Sequence, residues 1–227
     1  MKKITFATFF LLSFLFVAQQ DAVAQKKASS KDIRVEMVTT EGKMVFQLFN
    51  DTPLHRDNFL KLVEQHTYDS LLFHRVIKDF MIQAGDPNSR NAKPGQMLGD
   101  GTLGYTIPAE FVASRFHRKG ALCAARQGDN VNPRKESSSC QFYVVQGQVW
   151  DDSRLDMMEQ RFGKKFSAEQ RKVYTTEGGT PHLDGDYTVF GQLVEGWEVL
   201  DRIAATPTGR ADRPVKDVRI LRVKVLK

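Results

Sequence analysis

Short runs of alternating apolar and polar residues, each closed by a turn signal, recur along most of this chain and limit its fold more than any other feature. Residues 33–37 (IRVEM) alternate, Glu41 and Gly42 supply a turn, and residues 43–49 (KMVFQLF) alternate again. Together they read as an antiparallel hairpin. Further strand-like runs follow in SLLFHRVI, FMIQAG, ALCAA, CQFYVVQ, YTVFGQLVEG and DVRILRVKVLK. In the last of these the apolar parity slips between Ile220 and Leu221, which signals a bulge. Helical signals are fewer. One helix starts at Pro53, with Asp51 or Thr52 as its cap and Phe59, Leu62 and Val63 on one face, and a second covers residues 197–206. Residues 151–179 are polar, rich in helix formers and broken at Gly163, and read as a surface insertion of two short helices capped by Ser153 and Ser167. So many short strands beside so few helices favour a mainly β fold, a closed antiparallel barrel, over an alternating α/β sheet.

The first residues are of another kind. MKK supplies a positive start, residues 4–18 are an apolar run, and AVAQ at 22–25 places small residues where a signal peptidase reads, so residues 1–24 are expected to be an export signal. The run is shorter than the ~20 residues of a spanning helix, so no membrane insertion is expected after cleavage. The product would be exported, periplasmic in a Gram-negative cell and secreted otherwise. Residues 25–31 (QKKASSK) form a short flexible lead-in to one domain over 32–227.

A net charge of +6 with acids interspersed among the bases gives no basic patch for nucleic acid, and RFHRK at 115–119 reads as a solvated loop. Cys123 and Cys140 are expected to be free thiols, and two cysteines with five scattered histidines offer no metal-ligand spacing. GDGTLG at 99–104 matches the dinucleotide fingerprint letter for letter, but no strand leads in and no helix leaves, so the helix end that would face a pyrophosphate is missing. His55 and His66, on or just after the Pro53 helix, take surface or half-buried roles by default, and the NDT sequon at Asn50 is better explained by capping of that helix. No nucleophile elbow or metalloprotease motif is present, and no cofactor is expected.

The chemical signal concentrates in residues 73–86, FHRVIKDFMIQAGD, where an apolar run carries a histidine, an arginine and a glutamine. Strand alternation puts Phe73 and Arg75 on one face and His74 and Val76 on the other. At these residues, and in SCQFYV, HLDG and TVFGQLVEG that follow in order, the sequence resembles the cyclophilin family of peptidyl-prolyl cis-trans isomerases, from about Ile33 to the C-terminus apart from the insertion. The resemblance implies an eight-stranded antiparallel β-barrel capped by two α-helices, with a substrate groove on its outer face. It implies that Arg75 is the catalytic arginine and that Phe80, Met81 and Leu183 form the wall and floor of a proline pocket. Tyr143 stands where the family usually has phenylalanine. Gln83 and Gln141 match polar groups that hold the substrate backbone, Gln83 being also the expected catalytic partner that orients the Arg75 guanidinium, and Ala125 and Arg126 match the strand along which the peptide lies. Four departures stand out: His182 for a common tryptophan, Tyr187 for a common histidine, Arg126 for a common asparagine, and Lys78-Asp79 for a Pro-Gly turn. His182 and Tyr187 complete the expected rim.

The resemblance implies catalysed rotation of X-Pro bonds in exported, folding proteins by a monomer; the alternative is a chaperone or scaffold that binds proline peptides with little turnover. Uncatalysed rotation takes tens to hundreds of seconds over a barrier of ~18–20 kcal/mol, so millisecond turnover requires removing roughly 6–8 kcal/mol. As the bond twists, the proline nitrogen regains a lone pair that a guanidinium N–H can meet. One such hydrogen bond is worth only ~1.5–3 kcal/mol, so the pocket must supply the rest by gripping the ring and excluding water.

Overall fold

The alternating runs become the strands of one curled antiparallel sheet. A computed structural model describes residues 33–226, so the expected export signal and lead-in lie outside the described residues. In chain order the elements are β1 (Ile33–Thr39), β2 (Gly42–Leu48), α1 (Pro53–Glu64), β3 (Arg75–Ile77), β4 (Met81–Ala84), β5 (Thr106–Ile107), β6 (Ala121–Ala124), β7 (Ser137–Ser138), β8 (Phe142–Val145), α2 (Asp152–Phe162), α3 (Ala168–Thr176), β9 (Val189–Glu195), α4 (Trp197–Ala204) and β10 (Ile220–Leu226). The main sheet has eight strands in the order β10-β1-β2-β9-β6-β8-β4-β3, and β5 pairs with β7 separately. The parity slip foreseen in the last strand is real: Val38 faces Arg222 and Thr39 faces Ile220, which leaves Leu221 unpaired and half exposed.

The sheet is a half-barrel, and the expected closure is corrected. Its outer strands β10 and β3 share no ladder, because β3 is three residues long and begins only at Arg75. The residues before it meet the last strand through an isolated Leu72–Arg219 bridge and the bonds Phe73 N–H to Val218 O (2.9 Å) and Ile220 N–H to Leu71 O (2.8 Å). The same irregularity corrects the alternation expected around Arg75. Phe73 and Val76 both lie in the main core, since residues 71–74 are not yet strand.

That core fills the inner face. Met37, Phe46, Val76, Ile82, Leu122, Phe142 and Val144 of the sheet pack against Phe59, Leu62 and Val63 of α1 and Val199, Leu200 and Ile203 of α4. Burying large apolar side chains of this kind is worth about 1.5–3 kcal/mol each, which is why both helices settle on this face. A smaller apolar cluster of Met81, Ala121, Cys123, Tyr143, Val145 and Val189 gathers apart from the main core. The insertion consists of α2 and α3, with its own cluster of Leu155, Met158, Phe166, Val173 and Tyr174 built against Phe116. Ser167 and Gln170 form the expected capping box on α3, but α2 is capped by Asp151, which accepts the Arg154 N–H (2.8 Å), and Ser153 only donates to that carboxylate.

Candidate active site on the outer face of the sheet

Register fixes which residues share the outer face. Arg75 faces Gln83 across β3 and β4, Gln83 faces Tyr143 across β4 and β8, Tyr143 faces Cys123 across β8 and β6, and Cys123 faces Val189 of β9. Directly paired residues point to the same side of a sheet, so Arg75 stands at one end of a single row that continues into the outer apolar cluster. Met81 lies two residues before Gln83 and shares that side. Phe80, Leu183, Tyr187 and Ala125, all partly buried, pack against the same cluster. The sequence-derived pocket residues therefore meet at one place, in the outer apolar cluster beside the arginine strand.

The polar groups are arranged differently from expectation. The Arg75 guanidinium, about two-fifths exposed, donates from Nε to Asp212 Oδ2 at 3.3 Å. Gln83 donates instead to Gln141 Oε1 at 3.1 Å. Gln141 in turn gives both of its amide hydrogens to the carbonyls of Gly99 (2.7 Å) and Gly101 (2.8 Å). Its donors are thus committed to the glycine loop in this structure. The loop can come this close because its glycines permit it: a Cβ on Gly101 would sit 1.9 Å from Asp86 Oδ1. That close approach accounts for the glycine at 101. A groove of about 870 Å³ runs along this loop past Gln83, Ala125, Arg126 and Gln141.

At the rim, His182 stacks on Phe80 with ring centroids 5.7 Å apart, and its burial lowers the imidazole pKa, so it is neutral near pH 7. Tyr187 meets Tyr143 edge to face at 5.9 Å. The Arg126 guanidinium lies 4.5 Å over the Tyr187 ring and donates to the Asp186 carbonyl (2.7 Å) and to Asp129 (2.5 Å). Its side chain is 5% exposed, so its charge is spent on the rim and does not project into the groove. Asp79 replaces the glycine of the usual turn and takes its backbone conformation, φ +61°, with its N–H held by Gln146 Oε1 (2.6 Å).

The role of one buried residue at the site escaped sequence reasoning. His117, inside the basic run read as a solvated loop, is buried, with Nε2 3.0 Å from the Tyr143 hydroxyl and Nδ1 2.8 Å from Asp184 Oδ1. The run is ordered throughout by Arg115–Asp51, Arg118–Glu177 and Lys119–Asp201 pairs. Only the tyrosine at 143, a hydroxyl in a pocket that needs none, hinted that a partner must exist. Among the described residues no group of metal-ligating side chains is assembled, and no helix is long and apolar enough to cross a membrane. Both cysteines are free and buried.

Comparison with known proteins agrees with this geometry. The family profile described as cyclophilin type peptidyl-prolyl cis-trans isomerase/CLD matches residues 34–225. A Staphylococcus haemolyticus protein assigned as a peptidyl-prolyl cis-trans isomerase is 39% identical over 201 residues, covering 88% of this chain and 94% of its own. A Staphylococcus aureus counterpart is 36% identical over the same length, covering 88% and 95%. Among solved structures, a Cryptosporidium parvum cyclophilin type isomerase superposes with a TM-score of 0.64 at 24% identity, over 87% of this chain and 99% of that one. The same protein solved in the presence of the dipeptide Ala-Pro gives a TM-score of 0.61. A match of this extent, over a half-barrel that carries an arginine beside an apolar pocket on its outer face, makes the chain a member of the cyclophilin-type peptidyl-prolyl cis-trans isomerases.

Proposed function

We propose that this isomerase rotates X-Pro bonds in exported proteins, with Arg75 as the donor to the proline nitrogen and Phe80, Met81, Tyr143 and Leu183 as the pocket that grips the ring. The row from Arg75 through Gln83 and Tyr143 to the apolar cluster carries this reading, because it sets one cation beside one greasy surface on one face. The Ala-Pro dipeptide used with the Cryptosporidium relative supports a proline-containing substrate. Rotation makes and breaks no covalent bond, so the protein needs only to bind the twisted imide better than the planar one. The N–H groups of Arg75 not engaged by Asp212 meet the developing lone pair, and the apolar wall keeps water from competing for them. Gln83, freed of direct contact with the guanidinium, is left to its Gln141 bond and to the peptide backbone along Ala125 and Arg126.

The Asp212 contact is a single bond between half-exposed groups, worth about 0–1 kcal/mol, and a substrate displaces it at little cost. It is also the observation that favours the second reading, a binding module whose arginine is already occupied. A proline-peptide isomerisation assay on residues 25–227 separates the two. Turnover that falls about ten- to a hundredfold in Arg75→Ala, with Arg75→Lys nearly as impaired because it lacks the planar fork, supports the first. Peptide binding without turnover supports the second, and turnover unchanged in Arg75→Ala contradicts the role given to Arg75. The export signal and periplasmic or secreted placement rest on residues 1–24. A mature product beginning at Gln25 in the envelope or medium is the expected result, and a cytosolic product that keeps Met1 contradicts it.

A further inference from the structure

We propose that the helical insertion sets the pocket floor through a buried chain of hydrogen bonds ending on Tyr143, with Tyr174 and Gln170 as positioning residues. This rests on the assignment of Tyr143 to the proline pocket. The chain starts inside α3. The Tyr174 ring is wholly buried in the insertion's own cluster, yet its hydroxyl leaves that cluster and donates to Asp184 Oδ2 at 2.6 Å. Gln170 Nε2 donates to the same oxygen at 3.1 Å. The other carboxylate oxygen, Oδ1, accepts the backbone N–H of His117 (2.9 Å) and its Nδ1–H (2.8 Å).

Everything beyond Asp184 follows from where the protons must be. Nδ1 faces a carboxylate, so it carries the imidazole proton and leaves Nε2 as an acceptor. Tyr143 lies 3.0 Å from Nε2, and burial raises its phenol pKa well above the ordinary value, so the hydroxyl stays protonated and donates. The His117 ring also stacks nearly parallel to Tyr143, 6.2 Å away with an interplanar angle of 13°. A phenylalanine at this place could slide within its pocket; this tyrosine is tied at its tip. Lys164, from the loop between α2 and α3, fixes the other side by donating to the carbonyls of His182 (2.9 Å) and Asp184 (2.5 Å), the residues flanking Leu183.

A nearly buried carboxylate is stable only while its lone pairs are met, and here half of its donors come from α3. Removing them lets Asp184 turn toward water. His117 then loses the partner that fixes its tautomer, and Tyr143 loses its acceptor. A catalytic pocket tolerates little such drift, because small misplacements cost turnover disproportionately.

A double-mutant cycle tests this. Tyr174→Phe and Gln170→Glu are made alone and combined with Tyr143→Phe, and kcat/KM, the affinity for a proline peptide and the melting temperature are measured for each. Gln170→Glu keeps the oxygen that accepts the Ser167 N–H at the α3 cap, so it remains informative should Tyr174→Phe fold poorly. The expected result is a fall of about three- to tenfold in kcat/KM for each single change. In the Tyr143→Phe background the same changes have little further effect, since the bond that transmits them is gone. Full additivity with Tyr143→Phe, or unchanged kcat/KM in both α3 variants, overturns the proposal. Should Tyr143→Phe alter neither turnover nor affinity, the tie at the hydroxyl does nothing for turnover and the proposal fails, while the pocket assignment, which a phenylalanine also satisfies, stands.

Discussion

Both ring nitrogens of His74 are buried without a hydrogen-bond partner, one residue before the arginine on which the proposed chemistry depends. Burial pushes its pKa down to about 4; Asp86 opposes the shift, whereas Arg75 and Arg213 add to it. Unfolded, the imidazole titrates near 6.5, so between about pH 4 and 6.5 the unfolded chain holds more protons and stability falls as pH drops. The full effect is roughly 3 kcal/mol at about 1.36 kcal/mol per pKa unit. His55, also lowered mainly by burial, and His182 act in the same direction. Melting temperature is therefore expected to decline from pH 7 to pH 4, and the decline to be shallower in His74→Phe; equal slopes in the two proteins would contradict this. At this scale the sequence was legible in the two short strands that set Arg75 opposite Gln83, but not in their side-chain partners, since Arg75 bonds Asp212 and Gln83 bonds Gln141. It was silent on Gln141 and His117, whose partners are a folded-back loop and an aspartate 67 residues away.

Helix α1 shows how an element can be readable while its support is not. Pro53 and the Phe59, Leu62, Val63 stripe mark the helix locally, and Thr52 occupies the cap position, yet its side chain makes no capping bond. Its hydroxyl is buried and unpartnered. The donors are met from far away: Glu110 accepts the Leu54 and His55 N–H groups at 3.0 Å each and the His55 ring at 2.7 Å, while the far ring nitrogen meets Ser137 at 2.9 Å. A carboxylate facing a helix amino end gains from the dipole as well as from the bonds. Glu110→Ala is expected to cost about 1–3 kcal/mol in urea unfolding, and Glu110→Gln less, since one acceptor oxygen remains. Equal stability of Glu110→Ala and the parent protein would remove this account. The expected roles for His55 and the asparagine sequon are corrected by the same cluster: His55 is buried, and Asn50 accepts from Arg56. Capping by Ser167 was legible because the whole capping box lies within four residues; Asp151 and Ser153 competed two residues apart, and the charged acceptor prevailed.

For the whole molecule, the eight strands of the main sheet and the inner core, though not the unforeseen short β5–β7 pair, followed from alternation, because a one-residue slip would turn each buried face to water. Closure did not, since it depends on the irregular backbone of residues 71–74. Nor did the standing of the insertion, whose polar composition describes only its outer surface. Its two ends meet at the sheet, where a Cβ on Gly147 would lie 2.4 Å from the Gly179 Cα and the Gly179 N–H bonds Gln148 O at 3.0 Å. A segment closed on itself in this way should be easy to excise without opening a long loop. Deleting residues 151–177 is nevertheless expected to lower kcat/KM at least as far as Tyr174→Phe does, and a deletion protein with full turnover would mark the insertion as an independent attachment.

A carboxylate that takes two donors from α3 and two from His117 also binds the history of one part of the chain to that of another. A lineage that shed the insertion while keeping aspartate at 184 and tyrosine at 143 would leave that carboxylate without two of its four donors. The pieces can depart only in company.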